Sequence, residues 1–212
     1  MSSLPFASSS QEPDYAWEVA TLFPEQGEWT EEAYLDLTDS TSRRIEFTDG
    51  RLEFLPMPTE IHESLVRFLF LALYQFVETK KLGEVYFNGI RVRIRPRKTR
   101  LPDVLFLHTE HFHVRHNRVW DGADIAMEVV SDAPQDRQRD YEQKLSDYAE
   151  AKVAEYWIID PERRLVIVHQ LQDGKYVVHG EFAAGARATS VLLPGFSVDV
   201  EALFAVIDDI PE

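Results

Sequence analysis

The segment Ala126-Met127-Glu128-Val129-Val130-Ser131 decides how the chain is organised, read with Pro102-Asp103 before it and Asp140-Tyr141-Glu142-Gln143-Lys144 and Tyr148 after it. Residues 124–130 are apolar on both sides of Glu128, the pattern of a central strand covered on both faces. A carboxylate in such a strand is costly unless it is paired or holds a metal. Asp103 opens a second apolar run, residues 104–107, and Pro102 fixes where its pairing can begin. Residues 140–150 carry a helical pattern in which Asp140, Lys144 and Tyr148 share one face while Leu145 and Ala149 turn toward the core.

Upstream, Thr30 reads as an N-cap, with Glu31 and Glu32 in the first turn of a short helix to about Leu37. Residues 43–48 and 51–57 flank Asp49-Gly50, a hairpin signal, because this pair accepts the positive φ angles of a tight turn. Thr59 caps a longer helix whose stripe of Leu65, Leu69, Ala72, Leu73 and Phe76 ends near Gly83. Residues 85–95 are expected to form one strand, Val92 and Ile94 facing one side and Arg91, Arg93 and Arg95 the other. These arginines either contact phosphate or form the charged face of an edge strand. Downstream, residues 154–160, 165–171 and 175–181 form a meander turned by Pro161 to Arg163 and Gln172-Asp173-Gly174, and a short helix lies near 200–204.

The chain has 212 residues, is 44% hydrophobic and contains no cysteine. That composition supports one ordinary core, expected over residues 29–212 after a loosely held segment 1–28 anchored by Trp17 and Phe23. It excludes disulfides and thiolate zinc, and with no apolar run long enough for a bilayer it places the expectation in the cytoplasm, with no membrane partner. The net charge of −15 repels a polyanion at long range, although residues 91–100 hold six basic residues and no acidic one. His108, His111, His113 and His116 lie in one polar insertion without a zinc spacing and are read as a solvated loop.

Magnesium binds through one or two carboxylates completed by water and substrate phosphate. Asp103 and Glu128 can supply these, with the backbone carbonyl of Val129 as a further ligand; Mg2+ is the expected ion and Mn2+ an alternative. Lys144 can position the attacking water, act as a base if its pKa is depressed, or stabilise the pentavalent phosphate. Each residue also has a plainer reading: Lys144 an i, i+4 ion pair with Asp140, Asp103 a turn carboxylate, Glu128 a structural ion pair.

Pro102-Asp103 and Glu128-Val-Val-Ser131, 25 residues apart from Asp to Glu, resemble the PD-(D/E)XK nuclease superfamily, except that Val130 stands where its lysine is usual. Asp140-x-x-x-Lys144-x-x-x-Tyr148 followed by Glu155-Tyr156-Trp157-Ile158-Ile159-Asp160-Pro161 is similar to the bacterial Uma-type, restriction-endonuclease-like branch, in which the lysine moves to the following helix. Arg44-Ile45-Glu46, Asp49-Gly50, and Pro58 with His62 extend the resemblance over about residues 29–205. The resemblance implies that Glu46 is a further acidic member of the site and that His62 lies at the mouth of the cleft, while Tyr148 joins His62 and the three arginines as substrate-side candidates.

The expectation is an α+β, restriction-endonuclease-like mixed sheet flanked by helices, with a C-terminal antiparallel meander, hydrolysing DNA with a metal. The rival reading is an inactive nuclease fold that binds nucleic acid or protein, or a structural homodimer.

Overall fold

The computed structural model describes residues 23–131, 137 and 139–211. Trp17 and most of the loose N-terminal segment, like the bulk of the charged connection at 132–138, lie outside these residues. Residues 23–29 are pinned: Phe23 stacks on Trp29, and the Gln26 side chain and Gly27 and Trp29 amides bond to the hairpin at Leu52 and Gly50. Gly50 has φ of 86° and so close an approach to the Gly27 carbonyl that a Cβ would collide with it.

Helix α1 (Glu31–Asp39) starts where Thr30 accepts the Ala33 amide, and it runs two residues beyond the expected Leu37. Its Tyr34 stacks on Phe47 and donates to the Ile45 carbonyl at 2.9 Å, seating the helix on a small sheet. That sheet contains β1 (Ile45–Thr48) and β2 (Arg51–Phe54), turned by Asp49-Gly50 as expected, and has two further strands described below.

Helix α2 (Glu60–Lys80) is capped by Thr59 and ends at Lys81, which takes the left-handed conformation. The side it buries is Leu65, Val66, Leu69, Leu73 and Val77; Ala72 and Phe76 lie at the margin. The single strand expected at 85–95 is two strands in different sheets: β3 (Gly83–Phe87) and β4 (Val92–Arg95). Asn88 and Gly89 between them have φ of 42° and 107°, and this pair is itself a turn signal that the run of arginines obscured. β4 pairs with β5 (Lys98–Arg100), completing the small sheet in the order β2-β1-β5-β4.

The main sheet has the order β10-β9-β8-β7-β6-β3, with β6 (Val104–His108), β7 (Ile125–Val129), β8 (Glu155–Asp160), β9 (Leu165–Gln172) and β10 (Lys175–Phe182). All neighbours are antiparallel except β7 and β8, whose parallel pairing requires a crossover. The crossover contains a π-helical turn, Arg139–Gln143, and α3 (Lys144–Glu150). β11 (Arg187–Thr189), β12 (Ser197–Asp199) and α4 (Val200–Ala205) close the C-terminus against α2.

Strand alternation divides the core. Val104, Phe106, Ile125, Met127, Val129, Trp157 and Ile159 pack toward α2 and α4, whereas Leu105, Leu107, Ala126, Val130, Tyr156 and Ile158 pack with Tyr148 of α3. Both faces are therefore covered, as expected for β7, and the mixed α+β fold agrees with the expected class. The buried side of α3 differs from expectation: Lys144, Asp147 and Tyr148 are inside, while Leu145 and Ala149 are half-exposed. Ion pairs made beneath the helix, described next, compensate the burial of its charged face.

Candidate active site

The β6–β7 register pairs Val104 with Met127, so Asp103, one residue before β6, falls level with Glu128. Sequence distance thus becomes spatial neighbourhood through one antiparallel pairing. Asp103 is 2% exposed and Glu128 1%.

Three groups hold Asp103: Arg44 Nη2 at 2.9 Å from Oδ1, and His62 Nε2 at 3.1 Å and the Val129 amide at 3.0 Å from Oδ2. Burial works to raise the Asp103 carboxyl, but His62, Lys144 and Arg44 together hold it well below the usual carboxylate range. His62 answers in kind: burial favours its neutral ring, yet Asp103 raises its pKa. Glu128 is set differently. Tyr148 donates its O–H to Oε1 at 2.5 Å, and Lys144 Nζ lies 2.7 Å from Oε2. Burial raises the Glu128 carboxyl against the pull of Lys144, and Asp103, Asp140 and Glu46 add to the rise.

Lys144 therefore reaches the strands from its helix, and it also makes the i, i+4 pair with Asp140 at 3.0 Å. The two readings of this lysine coexist. Its pKa is raised: burial favours the neutral amine, but Glu128, Asp140, Glu46 and Asp103 outweigh it. A depressed pKa, the condition for Lys144 to serve as a base, is not met, whereas a fixed ammonium suits water positioning or phosphate stabilisation.

Asp103, Glu128, Asp140, Arg44, Arg139 and Lys144 converge on a cavity of about 30 Å3, edged by Leu55, Pro56 and His62. That space admits a water-sized species. Its donors are hard oxygens, and Val129 lines it too. This chemistry fits a small divalent cation that takes two carboxylates and completes its shell from water and substrate. Among the described residues no group of three or more His, Cys, Asp or Glu side chains is placed to hold a metal ion.

Glu46 does not line this cavity. It is fully buried, accepting the Leu101 amide at 3.0 Å and lying 3.3 Å from Arg100, which is bound to Asp147. Tyr148 is buried too, so it touches Glu128 rather than an open substrate surface. Arg91, Arg93 and Arg95 each meet carboxylates: Asp39, Glu31 with Asp121, and Asp49 with Glu150. Arg93 and Arg95 lie on the edge strand of the small sheet and Arg91 just before it, all three outside the cavity lining. In the histidine insertion, a 3-10 turn (Thr109–Val114) follows β6, and His111 pairs with Asp124 at 2.7 Å.

Sequence reasoning assigned no role to Arg44 or Arg139. Alternation places Arg44 on the side of Glu46, a usable signal; Arg139 sits in a π-helical turn, where helical spacing gives none.

Comparison with known proteins bears on the fold and the family. One solved structure, "Crystal structure of a putative nuclease belonging to DUF820 from Anabaena variabilis ATCC 29413", superposes with a TM-score of 0.66 at 16% identity, covering 82% of this chain and 98% of that one. At that identity the likeness shows the fold. No curated protein matches the chain. A family model, Uma2, described as "Putative restriction endonuclease", matches residues 31–201. The match spans well over half of the sequence, and the chain belongs to the Uma2 family.

Proposed function

We propose that the chain is a metal-dependent endonuclease that hydrolyses DNA phosphodiester bonds in the cytoplasm. The observation that carries the reading is the insertion of Lys144 from α3 between Asp140 and Glu128, beside Asp103, on the wall of one polar cavity. Magnesium or manganese held by Asp103, Glu128 and the Val129 carbonyl would supply Lewis acidity and an acidified water.

The remaining work falls to the chain's own groups. Arg44, His62 and the Val129 amide fix both oxygens of Asp103, and Tyr148 and Lys144 fix those of Glu128. The Lys144 ammonium keeps its proton and sets positive charge against the negative charge that a phosphorane would develop. Arg139, on the same wall and tied to Glu53 at 3.0 Å, is a second cation within the cavity. Glu46 acts behind these residues by orienting Arg100.

Nicking of supercoiled plasmid in magnesium or manganese tests the reading. Wild type is expected to nick and Lys144→Ala to lose at least about a hundredfold in rate; equal background from both contradicts it. The second reading, a non-catalytic nucleic-acid or protein binding module, draws on the net charge of −15 and the carboxylate-paired arginines. Binding of DNA without metal uptake or cleavage would favour that module.

A further inference from the structure

Helix α2 buries one side against the main sheet and turns the other to solvent. Along the outer side Arg67, Leu71, Tyr74 and Glu78 follow one another at intervals of four, three and four residues, which places them on a single seam. Leu71 is 55% exposed and Tyr74 43%. Beside them Phe70 stacks on Tyr74, with ring centroids 5.5 Å apart, and meets Phe87 at 4.5 Å. Phe87 belongs to β3, the edge strand of the main sheet, and is itself 46% exposed. Leu71, Tyr74 and Phe87 enter none of the three core clusters. Three of the nine large apolar side chains exposed among the described residues gather here, so the face is a patch and not a scatter of single residues.

The charges that end the seam say what covers it. Arg67 and Glu78 have no ion-pair partner among the described residues, in contrast to the arginines of the small sheet. Eleven residues apart on one helix, they are separated by about 16 Å, too far to pair with each other. A second α2 running in the opposite direction, related by a two-fold axis between Ala72 and Leu73, changes this. Leu71 then faces the partner's Tyr74, and Arg67 faces the partner's Glu78, twice by symmetry. A parallel pairing would set arginine against arginine and glutamate against glutamate, so the charge pattern selects the antiparallel one. The net charge of −15 opposes association at long range, but salt screens that repulsion beyond about 8 Å, and the seam itself balances one cation with one anion.

We propose that the outer seam of α2 is the contact surface of a two-fold homodimer. Two copies of the helix pack antiparallel, with Leu71 and Tyr74 at the centre and reciprocal Arg67–Glu78 pairs at the ends. His62 and the polar cavity lie at the first turn of α2, outside the seam, so the contact leaves both cavities uncovered.

Sedimentation of the full chain across micromolar concentrations, in about 0.15 M salt, tests the proposal. Wild type is expected to form a reversible dimer of twice the chain mass. Leu71→Glu weakens it at least about tenfold, and so do Arg67→Glu and Glu78→Arg, each of which opposes like charges across the contact. Glu78→Arg also reduces the net negative charge, so its weakening effect cannot come from general repulsion. The double change Arg67→Glu/Glu78→Arg reverses both ends together and returns the dissociation constant to within a few fold of wild type. All of these side chains are exposed, and circular dichroism checks that each variant is folded. A wild type that stays monomeric overturns the proposal and leaves the face to a different partner. So does a dimer indifferent to Leu71→Glu or to the single charge reversals, or a double reversal that stays monomeric.

Discussion

Glu155 opens β8 and Glu128 lies near the end of the adjacent parallel strand β7, and both are almost fully buried. Their partners differ. Glu155 accepts from Trp157 Nε1 at 2.6 Å through one oxygen, and from Ser190 Oγ and the Val191 and Leu192 amides at 2.8 to 3.0 Å through the other. These neutral donors bolt the segment before β12 to the sheet. Glu128 faces the side of α3, where a phenol and an ammonium hold it at the wall of a polar cavity shared with Asp103. Burial alone therefore does not distinguish a structural carboxylate from a chemical one. The donor type and the adjacent space do.

Exchanging each carboxylate for its amide should separate the two roles. Glu128→Gln is expected to cut plasmid nicking by on the order of 10³-fold. Its stability in urea should also fall, by roughly 3 kcal/mol, since Lys144 keeps Asp140 but loses one of its two carboxylates. Glu155→Gln should act on stability alone, because its new NH2 group must face either Trp157 Nε1–H or the backbone N–H donors. Urea unfolding should show a loss of roughly 2–4 kcal/mol, while nicking per folded molecule stays within a few fold. An activity loss from Glu155→Gln as large as that from Glu128→Gln would dissolve the distinction.

Smaller changes sharpen it. Tyr148→Phe leaves Glu128 with Lys144 as its side-chain partner, and single-turnover cleavage should fall about tenfold with a stability loss of about 1 kcal/mol. Arg93→Ala and Arg95→Ala should each change stability by less than about 1 kcal/mol, the range of partly exposed ion pairs. The salt dependence of DNA binding, measured by anisotropy, should be unaltered; a slope lowered by one phosphate contact would return these arginines to the substrate surface.

Much of this was legible where a residue's neighbours in sequence are also its neighbours in space. Glu128 announced its burial through its apolar flanks, and Thr30, Thr59 and Asp49-Gly50 marked their elements by local chemistry. Asp103 and Glu128 came together because one antiparallel pairing is enough to align them. Asn88-Gly89 marks a break within 83–95, but that its two halves join different sheets could not be read locally, since β3 and β4 owe their places to partners β6 and β5. The inward charged side of α3 was likewise hidden: Lys144 and Asp147 are buried because Glu128 on β7 and Arg100 on β5 wait beneath them. Glu155 shows the converse, a residue within a recognisable motif whose structural role depends on a loop 35 residues away.

The central claim is that Asp103 and Glu128, and not buried acids in general, bind the divalent ion that the chemistry needs. Calorimetric titration of the intact protein with manganese tests it most directly. Wild type and Glu155→Gln are expected to bind the ion, and Asp103→Asn and Glu128→Gln to lose it. Undiminished binding in Asp103→Asn, or no binding by wild type, would contradict the account.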